Sequence, residues 1–433
     1  MRELPLVDGW SSAPFWWEAA PREEAIDADL PSAVDVLIVG AGFTGLSAAL
    51  TLARAGRSVL VLDAGPPGFG ASSRNGGMIG SGHRVPFDWL CRTAGEAKAL
   101  DVVREGMLSL EWTTGLIARE QIACAFQRTG RFRAAWRPGH YEAIAREVVF
   151  QQARLGLDAD LVPRREQGRE IASERYFGGC IYHRHGGLHP GLFHAGLLDR
   201  ARRAGAAVIG HTPVERIERA NGPFRVVTGR GAIRARDVIV ASNGYTTRAS
   251  PALRARLLPI PSFLVATEPL GQNRVRSLIP NGRMVVESRS AHGYYRPSPD
   301  GERILFGARA ALHPIGAAAA ARRLRRYLVG LFPELAEVRF THSWQGLIAF
   351  TRASLPAIGV QDGIHYAMGY NGSGVAMAPY LGWRIAERLL GTAEGRTAFD
   401  DLAVRPWPLS FGIPVARPVV SAWHRLRDVF EGS

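Results

Sequence analysis

Lysine is almost absent from this chain: of its 53 basic residues only Lys98 is a lysine, and the other 52 are arginines. A net charge of +14 would ordinarily direct attention to polyanions. The arginines, however, are spread along the whole length, and the densest group, Arg322, Arg323, Arg325 and Arg326, falls in a stretch with helical spacing. No aromatic-interleaved or helix-turn-helix pattern accompanies them, so the cluster reads as a solvated helix face and no nucleic acid is expected. Cysteine is scarce as well. Cys91, Cys124 and Cys180 are odd in number, widely spaced and free of any CxxC, which excludes a disulfide framework and a zinc knuckle. His183, His185 and His189 lie close together without a carboxylate or thiolate among them, and no metal is expected. There is no run of 18 apolar residues and no apolar stretch ahead of a small-residue cleavage site, so the expectation is a soluble, cytoplasmic protein.

What is abundant is glycine, 49 residues of it, and its placement carries the chemistry. Val34 to Val39 is a β-branched and apolar run broken only by Asp35 near its start, as expected of a strand covered on both faces. Gly40, Gly42 and Gly45 follow, supplying in order a tight turn, a close approach of backbone to a pyrophosphate and close packing of the next helix on the strand. That helix is predicted over Phe43 to Ala55, its first-turn amides and dipole favouring negative charge. A second strand, Ser58 to Leu62, ends in Asp63, 23 residues past Gly40, whose carboxylate suits the two hydroxyls of an adenosine ribose. An acid there disfavours a 2′-phosphate, leaving FAD or NAD.

FAD is favoured by a second small-residue loop, Ala71-Ser72-Ser73-Arg74-Asn75-Gly76-Gly77-Met78-Ile79. Small side chains let amides approach a planar ring and a diphosphate, and Arg74 is expected to offset phosphate charge. Near the other end, Gly369 to Gly374 forms a glycine-rich turn between a short strand, Ile364 to Met368, and a helix from Val375 to Leu390. This aims a second helix N-terminus at an electron-rich target.

With these residues in view, the chain resembles the FAD-dependent amine and amino-acid oxidoreductases of the D-amino acid oxidase superfamily, and within it the branch containing γ-glutamylputrescine oxidoreductase. The resemblance runs from the aromatic lead-in Pro14-Phe15-Trp16-Trp17-Glu18 to the helix near residue 390 and includes 237–244, Ser343-Trp344-Gln345-Gly346-Leu347 with Leu355-Pro356-Ala357-Ile358-Gly359, and 369–379. It implies that FAD is held by Gly40, Gly42, Phe43, Thr44 and Gly45, by Asp63 and Ala64, by Ala71 through Met78 (Ser72, Ser73, Arg74, Asn75, Gly76 and Gly77 included), and by the backbone of Val214. Ala241, Asn243, Gly244 and Gly346 complete that set with Gly372, Ser373, Gly374, Val375 and Ala376. Relatives that attach flavin covalently use a Cys near the C-terminal flavin region or a His in the first loop; this chain has Gly346 and its neighbours, and Asn75, so FAD is expected to be non-covalent.

The expected fold class is α/β, with a discontinuous Rossmann-like FAD-binding domain (30–85, 176–250 and 340–400) and an interleaved α+β substrate domain (86–175 and 251–339) built on a mixed or antiparallel sheet. Strands are predicted at Arg283 to Glu287, Gly293 to Pro297 and Arg303 to Ala308, and a helix at His194 to Arg203. Residues 1–29 are expected to wrap the surface as extended chain. The tail, 401–433, is proline-rich and ends in an amphipathic segment, Val419 to Phe430.

The family chemistry is hydride transfer from an amine-bearing carbon to FAD, giving an imine that water hydrolyses; it requires no protein nucleophile, and no catalytic acid or base is assigned. His83, His189, Tyr295, Arg296, Trp344, Ile348 and Arg352 are the candidates for the substrate pocket. Amino-acid oxidases of the superfamily carry an arginine that clamps the α-carboxylate, and here that position holds Ile348, with Arg352 or Arg296 left to replace it. The reading therefore favours a small amine, or an amine with a remote acid group, over a simple α-amino acid. A D- or L-α-amino acid oxidase or dehydrogenase is the alternative, and a non-catalytic flavin-binding protein the remote one. The matching strand of the sarcosine-oxidase branch carries an oxygen-assisting lysine that Arg303 to Gly307 lacks, so the electron acceptor, O2 or another carrier, is open.

Overall fold

A computed structural model describes residues 5–24, 29–83, 85–219, 222–289 and 292–408. Two large sheets organise it. In the first, five parallel strands lie in the spatial order Ile364–Met368, Gly231–Val240, Ala33–Val39, Val59–Leu62 and Ala207–Ile209. The long strand Gly231–Val240 serves two partners on one side: its start turns back antiparallel on Phe224–Thr228, and Ile239 and Val240 pair with His365 and Tyr366. The apolar run predicted at the centre of this sheet is there because both faces are covered. Leu37 packs with Leu60, Val226 and Ile233 on one side, while Ile38 joins the helical layer on the other.

That helical layer rests on small residues. Helix Phe43–Arg54 crosses helix Gly374–Leu390 so closely that a Cβ on Gly382 would lie 2.2 Å from the Thr44 carbonyl oxygen. Thr44 Oγ1 and the Tyr370 hydroxyl, 2.5 Å apart, tie the turn before the second helix to the first. Helix Glu96–Arg119 closes the layer, its Thr113 hydroxyl donating to the Ala376 carbonyl and its Glu105 accepting from Tyr380.

The second sheet has nine strands, in the order Leu6–Ser11, Phe340–Phe350, Leu258–Thr267, Ile304–Ala308, Tyr294–Pro297, Met284–Glu287, Arg131–Ala134, Gly179–Tyr182 and Ala159–Val162. The three strands predicted between 283 and 308 are its centre. One face is the core of a second layer, where Phe263, Phe306 and Tyr295 pack on helices Gln272–Leu278 and Ala317–Leu331. The opposite face looks across a cavity at the first sheet.

Three placements differ from the sequence-based expectation. Strands Gly179–Tyr182 and Phe340–Phe350, assigned by sequence to the FAD-binding side, belong to the nine-stranded sheet. The chain passes between sheets within short segments, and strand periodicity does not say which sheet a strand joins. Residues 5–24 are also not a surface wrap: Leu6–Ser11 runs parallel to Phe340–Phe350, and Trp16 is completely buried. Its indole N–H finds an acceptor, the Asn75 carbonyl, at 2.7 Å, which is what a buried tryptophan requires. The segment Val419 to Phe430 lies outside the described residues. No helix among the described residues is long and apolar enough to cross a membrane.

Candidate functional site

The glycine motif folds as its spacing dictates. Gly40 adopts φ +107°, a conformation that disfavours a side chain, and a Cβ there would meet Ala241 at 3.0 Å. A Cβ on Gly45 would lie 2.0 Å from the Gly40 carbonyl oxygen, so only glycine lets the helix sit this close to the strand end. Neither N-cap residue, Gly42 here or Ser373 ahead of Gly374–Leu390, caps its helix with its own side chain, and of the first-turn amides that of Phe43 is taken by the Ser72 hydroxyl. Two helix N-termini with amides available to a ligand therefore border one cavity of about 800 Å³.

At one end of that cavity lie Asp63, Ala64 and Val214. The Asp63 carboxylate accepts the Ala41 amide at 2.8 Å and the Gly65 amide at 3.1 Å, so it already braces the glycine turn. Burial pushes its carboxyl up and these amides pull it down. A carboxylate has about four acceptor sites, which leaves capacity for ribose hydroxyls. Asp63→Ala is expected to weaken FAD binding by about 1.5–3 kcal/mol, the range for a charge-assisted hydrogen bond. Flavin release on dilution measures it, and full occupancy in the variant would contradict the assignment.

The second loop is a short helix, Ala71–Arg74, followed by Asn75, Gly76 and Gly77. Three indole groups hold it. Trp16 donates to the Asn75 carbonyl, Trp344 to the Arg74 carbonyl at 2.8 Å, and Trp17 to the Ser73 hydroxyl at 2.8 Å. Asn75 closes the loop on itself, donating to the Ala71 and Ser72 carbonyls and accepting from the Gly77 amide. Ser72 offers its hydroxyl to the Phe43 amide at 2.9 Å, joining this loop to the first. Arg74 lines the cavity too. Its guanidinium lies 4.1 Å from the Phe69 ring centroid and 4.6 Å from that of Trp17, and donates to the Phe69 and Gln345 carbonyls. Stacking on two rings and bonding to carbonyls fix its position at the cavity wall.

Most of the FAD candidates line the cavity, and five do not: Gly45, Ser73, Gly77, Gly244 and Ala376. Each sits one layer back. Ser73 donates to the Gly68 carbonyl, and Ala376 is buried in its helix. A Cβ on Gly77 would meet the Leu188 carbonyl oxygen at 2.2 Å, and one on Gly244 would meet Leu347 at 3.3 Å.

The far wall is the nine-stranded sheet. Trp344, Gly346 and Ile348 alternate on one strand, and of these Gly346 and Ile348 line the cavity while Trp344 is spent on the loop below. Leu264, Ser262 and Tyr294 continue the wall. Tyr294, rather than the expected Tyr295, faces inward: its ring stands against Gly76, and its hydroxyl is 2.9 Å from that of Ser262. Tyr295 points to the opposite face, bonded to Tyr176 and packed on Phe306. A strand reverses its side chains at every residue, so a one-residue misassignment changes the face.

Other substrate-pocket candidates move likewise. Arg296 is 1% exposed and donates to the Gly77 and Leu188 carbonyls, both at 2.8 Å, and to its neighbour Pro297, so it cements the loop and does not line the cavity. Burial brings its guanidinium down to about 10. His189 caps helix Pro190–Arg203 by accepting the Leu192 amide, and Arg352 is exposed on a turn. His83 does line the cavity; burial lowers its imidazole to about 4, and Nε2 is 2.9 Å from the Val102 carbonyl.

Sequence reasoning missed a polar end of the cavity formed by Arg131, Arg133, Tyr182, His185 and Glu287. Arg131 and Arg133 alternate with the core residues Phe132 and Ala134, a pattern visible in the sequence that reads equally as a solvent-facing strand.

The family described as "FAD dependent oxidoreductase" (DAO) matches residues 35–388. The γ-glutamylputrescine oxidoreductase of Escherichia coli (strain K12) is 34% identical over 404 residues, covering 91% of this chain and 92% of that protein. The probable oxidoreductase OrdL of Rhizobium meliloti (strain 1021) is 31% identical over 437 residues, covering 99% of each. Among solved structures, glycine oxidase from Geobacillus kaustophilus superposes with a TM-score of 0.73 at 21% identity, covering 87% of this chain and 99% of that one, a likeness of fold.

Proposed function

From the premise that this chain belongs to the DAO family of FAD-dependent oxidoreductases, which act on amines and amino acids, we propose that it oxidises a C–N bond of an amine rather than of a simple α-amino acid. The γ-glutamylputrescine oxidoreductase named above is consistent with that class. One observation carries the preference. Ile348 presents an aliphatic side chain to the cavity at the position where the resemblance expects a carboxylate clamp, and neither Arg296 nor Arg352 lines the cavity. An aliphatic group offers a carboxylate no donor, whereas a neutral amine tolerates it.

FAD, when bound, accepts two electrons as a hydride from the amine-bearing carbon and passes them to a separate acceptor. The chain does the rest. Asp63 and the two helix N-termini take the nucleotide's hydroxyls and negative charge. Leu264, Ile348 and Tyr294 form a wall that excludes water from the reacting carbon and leaves the amine room to approach deprotonated. Burial holds the Tyr294 phenol up at about 12, so it stays neutral against that wall. The imine product is released to water, which hydrolyses it to a carbonyl compound and free amine or ammonia.

Anaerobic mixing of the purified yellow protein with a panel of amines and of D- and L-α-amino acids tests the reading. Amines are expected to bleach the visible flavin band faster. A best substrate that is an unsubstituted α-amino acid would reverse the assignment. The same preparation tests how the cofactor is held. Cys91, Cys124 and Cys180 do not line the cavity, and His83 is engaged at Val102. Acid precipitation is therefore expected to leave a colourless pellet and a yellow supernatant, and colour retained in the pellet would show a covalent bond.

A further inference from the structure

Behind the first glycine turn lies a histidine that does not reach the cavity. His194, in helix Pro190–Arg203, is completely buried and absent from the cavity wall. Both of its ring nitrogens are used. Nε2 is 2.7 Å from the Ala41 carbonyl oxygen, which can only accept, and Nδ1 is 3.1 Å from an Arg22 terminal nitrogen, which can only donate. The proton therefore sits on Nε2. Burial and the Arg22 charge bring the imidazole down to about 4, so the ring is neutral and links a cation to a peptide.

Glycine makes the room for this ring. A Cβ on Gly68, at φ +78°, would lie 2.4 Å from His194 Cε1. Arg22 is fastened beside the ring by the Ala20 carbonyl at 2.6 Å and the Pro67 carbonyl at 3.3 Å. No carboxylate among the described residues pairs with it, because the adjacent Glu23 is taken by both terminal nitrogens of Arg202, at 2.6 and 2.8 Å.

The cation acts, through the ring, on the peptide joining Ala41 to Gly42. Ala41 has spent both of its polar groups, the amide on Asp63 at 2.8 Å and the carbonyl on His194. In a trans peptide the carbonyl and the amide point in opposite directions, so the Gly42 N–H lies on the side of the plane away from His194. Gly42 is the N-cap of helix Phe43–Arg54 and lines the cavity, and its amide has no backbone acceptor among the described residues. Hydrogen bonds in a chain polarise one another, so a donor on the carbonyl of a peptide strengthens the bond that the N–H of the same peptide makes. The chain runs from Arg22 through His194 to the Ala41–Gly42 peptide. A positive charge stands at its start, and at its end is the place where a glycine motif of this kind takes a diphosphate.

We infer that His194 is a positioning residue for FAD, acting with Arg22 to orient and polarise the Gly42 amide toward the cofactor's diphosphate, although neither side chain touches the cavity. The assignment rests on the family's cofactor and not on which amine is oxidised. Phosphorus NMR of the FAD-loaded protein, which reports on the two phosphates, tests it together with FAD release on dilution. Arg22→Met is expected to move at least one phosphorus resonance and to raise the FAD dissociation constant by about 10-fold. Arg22→Lys, which keeps the charge and a donor for Nδ1, is expected to return both toward the native values. His194→Phe, which keeps a ring and loses both bonds, is expected to show a larger loss of FAD. A purely structural role would instead lower thermal stability and leave both resonances of the bound flavin in place. FAD affinity unchanged in Arg22→Met, affinity lost with both phosphorus resonances unmoved, or a loss that Arg22→Lys does not lessen overturns the inference. The Arg22 variants decide the matter even where His194→Phe does not fold.

Discussion

Gly45→Ala is expected to destabilise the fold by about 3 kcal/mol and to yield protein that is largely colourless, because the added methyl has nowhere to go. Its Cβ would sit 2.0 Å from the Gly40 carbonyl oxygen and 3.2 Å from Ile38 Cγ2. The nearest obstacle is backbone, not the end of a flexible side chain, so relief requires the helix to move off the strand. That movement withdraws the amides at the helix start from the ligand. The companion variant Gly139→Ala, at the start of helix Pro138–Leu155 where a Cβ meets nothing within 4 Å, is expected to be neutral or slightly stabilising. Thermal unfolding and the ratio of flavin to protein absorbance measure both. Gly45→Ala purifying yellow with unchanged stability would mean that strand and helix are less closely apposed than described.

The second large effect concerns Arg296. Removing its side chain takes a buried donor from the Gly77, Leu188 and Pro297 carbonyls, of which Gly77 keeps the Leu188 amide. Two of these bonds cross from the nine-stranded sheet to the loop and strand beneath it, and charge-assisted bonds of this kind are worth about 1.5–3 kcal/mol each. Arg296→Ala is therefore expected to cost about 3–5 kcal/mol and to loosen the flavin. Arg296→Lys is expected to rescue part of the loss, because a single terminal nitrogen, Nη1, serves both the Gly77 and Leu188 carbonyls, whereas the Nε bond to Pro297 has no counterpart in lysine. A substrate-clamping arginine would behave differently: KM for one substrate class would rise while thermal stability and flavin content stayed put. That outcome would return Arg296 to the cavity.

The contrast between these two residues shows where sequence is informative. Gly40, Gly42, Gly45 and Asp63 were legible because each requirement is local: the turn, the helix start and the strand end lie within 24 residues of one another, and their spacing is set by backbone geometry. The same holds for Gly372 to Gly374 ahead of the last helix. His189 and Trp344 were read as pocket residues through the family resemblance, and Arg296 as a possible replacement for the missing carboxylate clamp. Their actual partners are backbone groups: the Gly77 and Leu188 carbonyls, the Leu192 amide and the Arg74 carbonyl. A carbonyl has no sequence signature, so a side chain that serves one cannot be told from one that serves a ligand. Tyr294 and Tyr295 illustrate the other loss. In Tyr-Tyr-Arg-Pro every residue is compatible with either face, and the pleat is fixed only by neighbouring strands, Val285 opposite Tyr295 and Gly307 opposite Tyr294. Arg131 escaped notice for the converse reason, since charge at alternate positions is also how a solvated strand is written.

The three indole clamps on the second loop also bear on the order in which the protein matures. Trp16 and Trp17 belong to the first two dozen residues, and Trp344 to a strand whose neighbour Leu6 pairs with Phe340 more than three hundred positions away. On a ribosome, the residues of the turn around Gly40 emerge within the first few dozen, yet the loop facing it lacks its third clamp, Trp344, until four-fifths of the polypeptide has emerged. Contacts of such sequence separation form late and slowly. The cradle, which also needs Val214 and residues 372–375, is therefore assembled only when nearly the whole chain is available.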